Sequence, residues 1–307
     1  MRLSRFIPIF IFVAFLCACG HQPIPIEIPT ALPEPNPLPE IKVALVLGGG
    51  GARGVAHVGV ISVLEENHIP IDLIVGTSAG SIVGALYADE PNRYALKRKL
   101  LRARKWEVID PSIYTGMKML WGVSGVMDGN ALRCFLYKNL KARNFDQLAI
   151  PLATVATDID QGNVFVIRSG PIIPAVHASS AIPFVFSPVH IYDRMLGDGG
   201  IMSPVPVEVA KKLGAKKIIA VDIGALVKPK RVTGMYQYAD RCLWLSYLAL
   251  TEWQNQNSDI LIQPRFVEGV SMFDDSKLES FYESGRQAAL EALPQIKSLL
   301  NKMNAPS

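Results

Sequence analysis

The stretches VALVLGGGGARG (residues 43–54) and IDLIVGTSAG (residues 71–80) decide the fold of this chain. In each stretch, an apolar run typical of a buried strand passes through glycines into a segment with apolar residues at helical spacing. Strands that alternate with helices in this way predict a mainly parallel sheet with right-handed crossovers, and therefore an α/β fold. Both glycine turns then lie at the carboxyl ends of strands, where such sheets bind their ligands.

The second turn, Gly76-Thr77-Ser78-Ala79-Gly80, fits the G-x-S-x-G pattern of a nucleophile elbow. A serine on a sharp strand-to-helix turn is exposed for attack, and the two glycines remove side chains that would crowd its backbone. Ala79 is small and its N–H begins the next helix, which makes it a candidate oxyanion donor. The pattern by itself also fits an ordinary glycine-rich turn.

In the first turn, three glycines precede the helix that follows β-like residues 43–47: Gly49, Gly50 and Gly51. Arg53 and Gly54 come next. Backbone N–H groups at the start of a helix attract negative charge, so the three glycines are further candidate oxyanion donors. A nucleophile beside an anion site predicts acyl transfer through a stabilised tetrahedral oxyanion. We expect Arg53 to pack the loop rather than to contact substrate.

The same glycines also satisfy the G-x-G-x-x-G fingerprint of dinucleotide-binding folds. That fingerprint requires an acidic residue at the end of the second strand, about 20 residues further on. The acid at this distance is Asp72, which stands at the beginning of the second strand, and the strand ends in the Ser78 turn. The pattern therefore disfavours a nicotinamide-dependent oxidoreductase.

Ser78 needs a group that accepts its proton. The histidines that follow it are His177, in a predicted helix, and His190, in a predicted strand, and we expect both to be structural. The better candidate is Asp198, which glycines flank on both sides, so that it can approach another loop closely. A simple Asp-Gly turn is the alternative for Asp198, and Asp158 is a second candidate acid that otherwise caps a turn.

The order of these motifs resembles the patatin-like phospholipase family, whose signature is G-G-G-x-R/K-G, then G-x-S-x-G, then D-G-G or D-G-A. Here the three motifs are residues 49–54, residues 76–80 and Asp198-Gly199-Gly200, and ASSAIP (residues 178–183) also resembles the family. The resemblance covers residues 41–215 by motif. It implies a three-layer α/β/α fold with a mainly parallel central sheet.

The resemblance further implies a Ser–Asp dyad, with Ser78 as nucleophile and Asp198 as general base, and no metal or organic cofactor. A free aspartate with a pKa near ~3.9 is a weak base for serine, but burial in an apolar groove raises the pKa. The implied activity is that of a lipid acyl hydrolase, of phospholipase A or lysophospholipase type, acting through an acyl-Ser78 intermediate. Esterase or thioesterase activity on other substrates, and a non-catalytic lipoprotein scaffold, stay open as alternatives.

The chain begins with a segment typical of a secretory signal, residues 1–18, with Arg2 and Arg5 before an apolar run that is too short to span a bilayer comfortably. The stretch LCACG (residues 16–20) resembles the lipobox of bacterial lipoproteins and implies lipidation of Cys19. An ordinary secreted protein cut elsewhere is the alternative. Gly20 after the cysteine resembles outer-membrane sorting, which predicts a lipid-anchored protein of the bacterial cell envelope.

Residues 19–40 contain seven prolines. Such a run favours extended polyproline II structure and predicts a semi-rigid spacer between lipid anchor and enzyme, or alternatively a disordered leader. Residues 41–301 are expected to form one catalytic domain, and residues 302–307 a tail. The apolar pattern predicts strands at 151–157, 163–168 and 217–223, and helices at 174–180, 205–214, 236–255 and 276–301. It also predicts a helix capped by Asp128 that runs to about Leu140.

The remaining features are less specific. The formal net charge of +4 indicates no nucleic acid or other particular polyanion as partner. A basic cluster forms either a solvated helix face or a contact surface for anionic lipid headgroups: Arg93, Lys97, Arg98, Lys99, Arg102, Arg104 and Lys105. Cys134 and Cys242 are either joined in a disulfide or free, and no spacing suggests a metal site. Residues 112–127 either pack in the core or form an apolar flap over the substrate groove.

Overall fold

The central element of the fold is a mixed sheet of eight strands. The computed structural model describes residues 29–103, 125, 127–224, 231–266 and 275–304. The predicted signal segment, Cys19, Arg104, Lys105 and most of the predicted flap lie outside these residues. The strands are β1 (Val43–Leu47), β2 (Leu73–Thr77), β3 (Leu152–Asp158), β4 (Asn163–Ile167), β5 (Val189–Ile191), β6 (Arg194–Asp198), β7 (Lys217–Val221) and β8 (Ile260–Ile262). Their order is β5-β6-β3-β2-β1-β7-β8, and β4 also pairs with β3.

Helices cover both faces of this sheet. They are α1 (Val55–Glu66), α2 (Ala79–Asp89), α3 (Arg93–Leu101), α4 (Asn130–Asn139), α5 (Ile172–Ser179), α6 (Val207–Lys212), α7 (Met235–Asn255) and α8 (Leu278–Asn304). Short 3-10 turns occur at Gly51–Gly54, Phe145–Gln147, Gly199–Ile201 and Asp275–Lys277. The strands predicted at 151–157, 163–168 and 217–223 are all present, with ends shifted by up to two residues.

Strand β1 shows why two layers of helices are needed. All five of its residues are buried. Val43, Leu45 and Leu47 belong to one hydrophobic core, whereas Ala44 and Val46 belong to a second core on the opposite face. Because side chains alternate across a strand, a strand that is apolar at every position must be covered on both sides. The predicted three-layer architecture with a mainly parallel sheet is confirmed.

The register of β3 explains how two distant motifs meet. Strand β2 runs parallel to β3 and ends with Thr77 opposite Val155. Strand β6 runs antiparallel to β3 and ends with Asp198 opposite Ala156. Since Val155 and Ala156 are adjacent, the carboxyl ends of β2 and β6 meet at the middle of β3. This meeting point brings Ser78, the residue after Thr77, next to Asp198.

The described part of the proline-rich segment, residues 29–40, lies against the domain. The Pro29 carbonyl accepts a hydrogen bond from Tyr192 N (2.7 Å), and the Pro33 carbonyl accepts one from Ser169 Oγ. Leu32 and Leu38 pack against the two hydrophobic cores. The prolines favour an extended conformation, and the apolar residues between them allow the extended segment to pack on the domain.

Three further predictions need correction or gain detail. The residue that caps α4 is Gly129, with φ 71°, and not Asp128. Cys134 is buried and Cys242 is exposed, and the structure does not join them in a disulfide. In the basic cluster, Lys97 pairs with Glu279 and Lys99 pairs with Glu90. Among the helices that the structure describes, none combines the length and the hydropathy of a membrane-spanning segment.

Candidate active site

Ser78 occupies a sharp turn between β2 and α2, with φ 53° and ψ −121°. A residue with a side chain rarely adopts this conformation, which typically costs on the order of 1–3 kcal/mol. The turn closes because Gly80 has no side chain: a Cβ at this position would lie 2.0 Å from the carbonyl oxygen of Leu47. The Ser78 carbonyl accepts hydrogen bonds from the amide (2.9 Å) and hydroxyl (2.7 Å) of Ser81, which hold the turn.

The hydroxyl of Ser179, the last residue of α5, fixes the turn from the other side. It accepts a hydrogen bond from Ser78 N (2.9 Å) and donates one to the carbonyl of Val155 in β3 (2.6 Å). Ser179 thus links β2 to β3 where the regular ladder between the two strands stops. The sequence shows this residue only within the ASSAIP segment that resembles the family, and no local pattern indicates its role.

Asp198 is buried at the end of β6. Its backbone N donates to the carbonyl of Ala181 (2.9 Å), and its own carbonyl accepts from Thr157 Oγ1 (2.9 Å). Oδ1 of the side chain accepts from Gly200 N (2.7 Å), whereas Oδ2 has no hydrogen-bond partner among the described residues. Gly199 allows the close approach, because a Cβ there would lie 2.1 Å from the Val155 carbonyl oxygen.

The environment of Asp198 changes its acidity. Burial raises the pKa of Asp198 to about 6, while the nearby hydroxyl of Ser78 and the amide of Gly200 each act to lower it. Removal of water disfavours the charged carboxylate, and this effect outweighs the two polar neighbours. The carboxylate is therefore a stronger base than a free aspartate and is still mostly ionised at neutral pH.

The glycine loop after β1 is held by side chains. Hydrogen bonds reach three consecutive carbonyls: His57 Nε2 donates to Gly48 O (2.8 Å), Tyr247 Oη to Gly49 O (2.8 Å) and Arg53 Nε to Gly50 O (3.3 Å). Arg53 is buried, and its guanidinium lies over the rings of Trp244 (6.0 Å) and Phe266 (5.8 Å). This arrangement agrees with the expectation that Arg53 packs the loop.

The amides of this loop differ from one another. The N–H of Gly49 donates to the carbonyl of Pro204 (3.0 Å), which corrects its prediction as an oxyanion donor. The N–H groups of Gly50, Gly51 and Ala79 donate to no acceptor in the described part of the chain. Gly51 and Ala79 begin helical segments, where the first amides have no acceptor within the helix. These three amides are therefore the donors that remain available to a ligand.

A cleft of about 180 Å³ connects the parts of the site. Ser78 and Asp198 line it, and most of the other lining groups are glycine backbone or apolar side chains. They include Gly49, Gly50, Gly51, Gly200, Ile182, Pro183, Phe184, Val185, Ile201, Leu243, Trp244 and Tyr247. The last three belong to α7, which the sequence predicts as a helix without indicating that it reaches the site.

The histidines do not complete a triad. In His177, Nδ1 lies 3.2 Å from Arg133 Nη1, the ring packs on Gly129, and burial lowers its pKa to about 3. His190 is exposed on β5. His57 is fully buried, and burial lowers its pKa to about 4, so the ring is neutral and donates to Gly48 O through Nε2. Within the described ranges, none of them hydrogen-bonds to Ser78.

Asp158 and Asp72, the other two carboxylates considered in the sequence analysis, have structural partners. Asp158 forms an ion pair with Arg194 and accepts a hydrogen bond from Gln161 N (3.0 Å), as expected for a residue that caps a turn. Asp72 accepts from the amides of Lys42 (2.9 Å) and Val43 (2.8 Å) at the amino end of β1. It therefore lies at the end of the sheet opposite the glycine turns, where it cannot bind a ribose.

Comparison with known proteins gives one family. The sequence model described as Patatin-like phospholipase matches residues 45–211. Patatin-like phospholipase domain-containing protein 6 of Homo sapiens is 33% identical over 223 residues, which make up 70% of this chain and 15% of that protein. Lysophospholipase NTE1 of Scheffersomyces stipitis is 35% identical over 184 residues, 60% of this chain and 12% of that protein. This chain thus spans at most 15% of the length of these relatives.

Among solved structures, VipD from Legionella pneumophila aligns with 90% of this chain and 73% of its own, with a TM-score of 0.46 and 14% sequence identity.

Proposed function

Since the chain belongs to the patatin-like phospholipase family, we propose that it is a lipid acyl hydrolase that cleaves carboxylic esters through Ser78 and Asp198. The observation that carries this proposal is the position of Asp198 Oδ2. This oxygen is buried, has no hydrogen-bond partner among the described residues, and belongs to a carboxylate that lines the same cleft as Ser78. It is an acceptor in the right place for the proton of the nucleophile.

The proposed reaction begins when Ser78 Oγ attacks the ester carbonyl and its proton passes to Asp198. The tetrahedral oxyanion is stabilised by the unused amides of Gly50, Gly51 and Ala79, each worth about 3 kcal/mol if it resembles known oxyanion donors. Collapse expels the alcohol, which takes the proton from Asp198, and leaves an acyl-Ser78 ester. Water then attacks this ester and gives its proton to Asp198. Asp198 returns the proton to Ser78 Oγ as the fatty acid leaves, which restores both residues.

The cleft supports a substrate with an acyl chain. Its walls are apolar apart from the reacting groups, so a hydrocarbon chain loses water on binding without leaving a polar group unsatisfied. Phe184 and Leu243 of the cleft are exposed. One relative is named a lysophospholipase, and we propose a phospholipid or lysophospholipid as substrate.

The path of residues 29–40 supports action at a membrane surface. The turn that binds Pro29 follows β5 and precedes β6, beyond the carboxyl end of β3, and so lies on the Ser78 side of the sheet. We propose that Cys19 carries a lipid that holds the protein to the bacterial cell envelope, at the outer membrane. The anchored chain would then join the domain on the side that contains the cleft, which raises the local concentration of lipid substrate.

The test compares fatty-acid release from phosphatidylcholine vesicles and lysophosphatidylcholine micelles by the wild-type protein, Ser78→Ala and Asp198→Asn. The control variant is Ser258→Ala, which removes another hydroxyl that is hydrogen-bonded to a nearby carbonyl. We expect release by wild type and Ser258→Ala, and a loss of at least a hundredfold in the two site variants. Activity on p-nitrophenyl butyrate alone would replace the phospholipase assignment with an esterase, and activity in Ser78→Ala would refute the mechanism.

A further inference from the structure

Tyr247 lies outside the three sequence motifs but contacts the glycine loop. It lies on α7, outside the residues 45–211 that match the family. Its hydroxyl is 2.8 Å from the carbonyl oxygen of Gly49. Because a carbonyl only accepts, the tyrosine donates, and burial raises the pKa of Tyr247 so that the hydroxyl keeps its proton. The ring packs on Gly200, since a Cβ there would lie 3.0 Å from Tyr247 Cε2.

The peptide that Tyr247 holds is the one that carries the Gly50 N–H. In a trans peptide, the carbonyl of one residue and the N–H of the next lie in one plane and point in opposite directions. The structure contains no cis peptide in its described ranges. Fixing the oxygen of Gly49 therefore also fixes the direction of the Gly50 N–H, which donates to no acceptor among the described residues.

The other two side-chain donors act on different peptides. His57 holds the Gly48 carbonyl and so the peptide of the Gly49 amide, which already donates to Pro204. Arg53 holds the Gly50 carbonyl, and so the peptide of the Gly51 amide, from within the loop itself. Of these three donors, only Tyr247 belongs to α7. Neither His57 nor Arg53 hydrogen-bonds to the carbonyl of the Gly49–Gly50 peptide.

The structure of this loop assigns a role to Tyr247, and we propose that it is a positioning residue for oxyanion stabilisation. By holding the Gly49 carbonyl, it keeps the Gly50 N–H directed for the tetrahedral intermediate. This inference rests on the proposed acyl transfer at Ser78. It also explains why α7 contributes a polar side chain to a cleft that it otherwise lines with Leu243 and Trp244.

The test is Tyr247→Phe, which removes the hydroxyl and retains the ring. The control is Tyr238→Phe on the same helix, whose side chain is 59% exposed. Rates are measured with p-nitrophenyl butyrate and are divided by the number of competent serines counted in the pre-steady-state burst, so that misfolded protein does not enter the result. A misaligned donor weakens stabilisation less than a missing one, so we expect kcat to fall about tenfold, against 10²–10³ for a lost donor. KM should stay within twofold, and the pH midpoint set by Asp198 should not move.

A second readout separates this inference from the proposed substrate. A fluorophosphonate probe forms a tetrahedral adduct with an activated serine, and its labelling of Ser78 should slow by a similar factor in Tyr247→Phe. If wild type hydrolyses no ester, the proposed function fails, while the ratio of labelling rates still reports on Tyr247. Labelling and kcat both within twofold of wild type would overturn the inference, and so would a change confined to KM.

Discussion

Replacing Asp198 with asparagine should abolish activity and at the same time stabilise the protein. Burial raises the pKa of this carboxyl from 3.8 to about 6. Between pH 3.8 and about pH 6, the folded state therefore still binds a proton that the unfolded state has already released. As pH rises through this window, the folded protein must accept a buried charge, and stability is lost.

The size of the effect follows from the shift. About two pKa units at 1.36 kcal/mol each amount to a penalty of about 3 kcal/mol in the free energy of unfolding. This penalty is fully present above the folded-state pKa and absent well below the unfolded-state value. Asparagine keeps the shape of the side chain and an oxygen for the Gly200 amide, but it cannot ionise. We expect Asp198→Asn to gain about 3 kcal/mol over wild type at pH 7, and most of this gain to disappear by pH 4.

Urea denaturation of both proteins at pH 4, 5, 6 and 7 measures the difference. The matched control is Asp158→Asn, since Asp158 is also buried. Desolvation by burial acts to raise its pKa, but the amide of Gln161 and the guanidinium of Arg194 together outweigh it and lower the pKa. The ionised Asp158 carboxylate stabilises the folded protein above its unfolded-state pKa, and this stabilisation is lost as pH falls through its folded-state pKa. Asp158→Asn should therefore be less stable than wild type at pH 7. An Asp198→Asn gain that does not depend on pH would refute the reasoning.

Three further predictions concern the site and the turn that holds it. The kcat/KM of wild type should rise about tenfold from pH 5 to pH 7, because Asp198 with a pKa of about 6 goes from about one-tenth to nine-tenths ionised; a flat profile would exclude it as the base. Ser179→Ala removes a hydroxyl that joins Ser78 N to the Val155 carbonyl. It should lower stability by about 1–3 kcal/mol in urea titrations and also reduce kcat, whereas Ser258→Ala, which removes one local hydrogen bond, should leave kcat unchanged. Gly80→Ala would place a Cβ 2.0 Å from the Leu47 oxygen and should prevent soluble expression or lower Tm sharply, whereas Gly234→Ala, with open space around it, should express and melt like wild type.

The local parts of the site could be predicted from the sequence because their causes are local. The elbow needs glycine two residues from Ser78, and the D-G-G turn needs glycine beside Asp198, so short motifs contain both. The alternation of apolar strands and helices likewise predicts a mainly parallel sheet. What the motifs do not show is that β6 runs antiparallel to β3 and ends opposite Ala156, which is the geometry that brings Asp198 to Ser78.

The rest of the site depends on contacts between residues far apart in the chain. Ser78 and Ser179 are 101 positions apart, and Gly49 and Tyr247 are 198 apart. Helix α7 is apolar on more than one face, because Leu245 is exposed while Leu243, Trp244 and Tyr247 line the cleft. Periodicity predicts such a helix but does not indicate which side faces the site.

The site brings together several groups that break the ordinary rules of folding. Ser78 has a positive φ, Asp198 Oδ2 has no hydrogen-bond partner among the described residues, and the amides of Gly50 and Gly51 donate to no described acceptor. Each departure lowers the stability of the empty protein. A tetrahedral adduct on Ser78 would remove two of them, since its oxyanion accepts from the amides and its lost proton neutralises Asp198. An ester in its ground state offers neither the charge nor the proton, so the site is more complementary to the transition state than to the substrate, as catalysis requires.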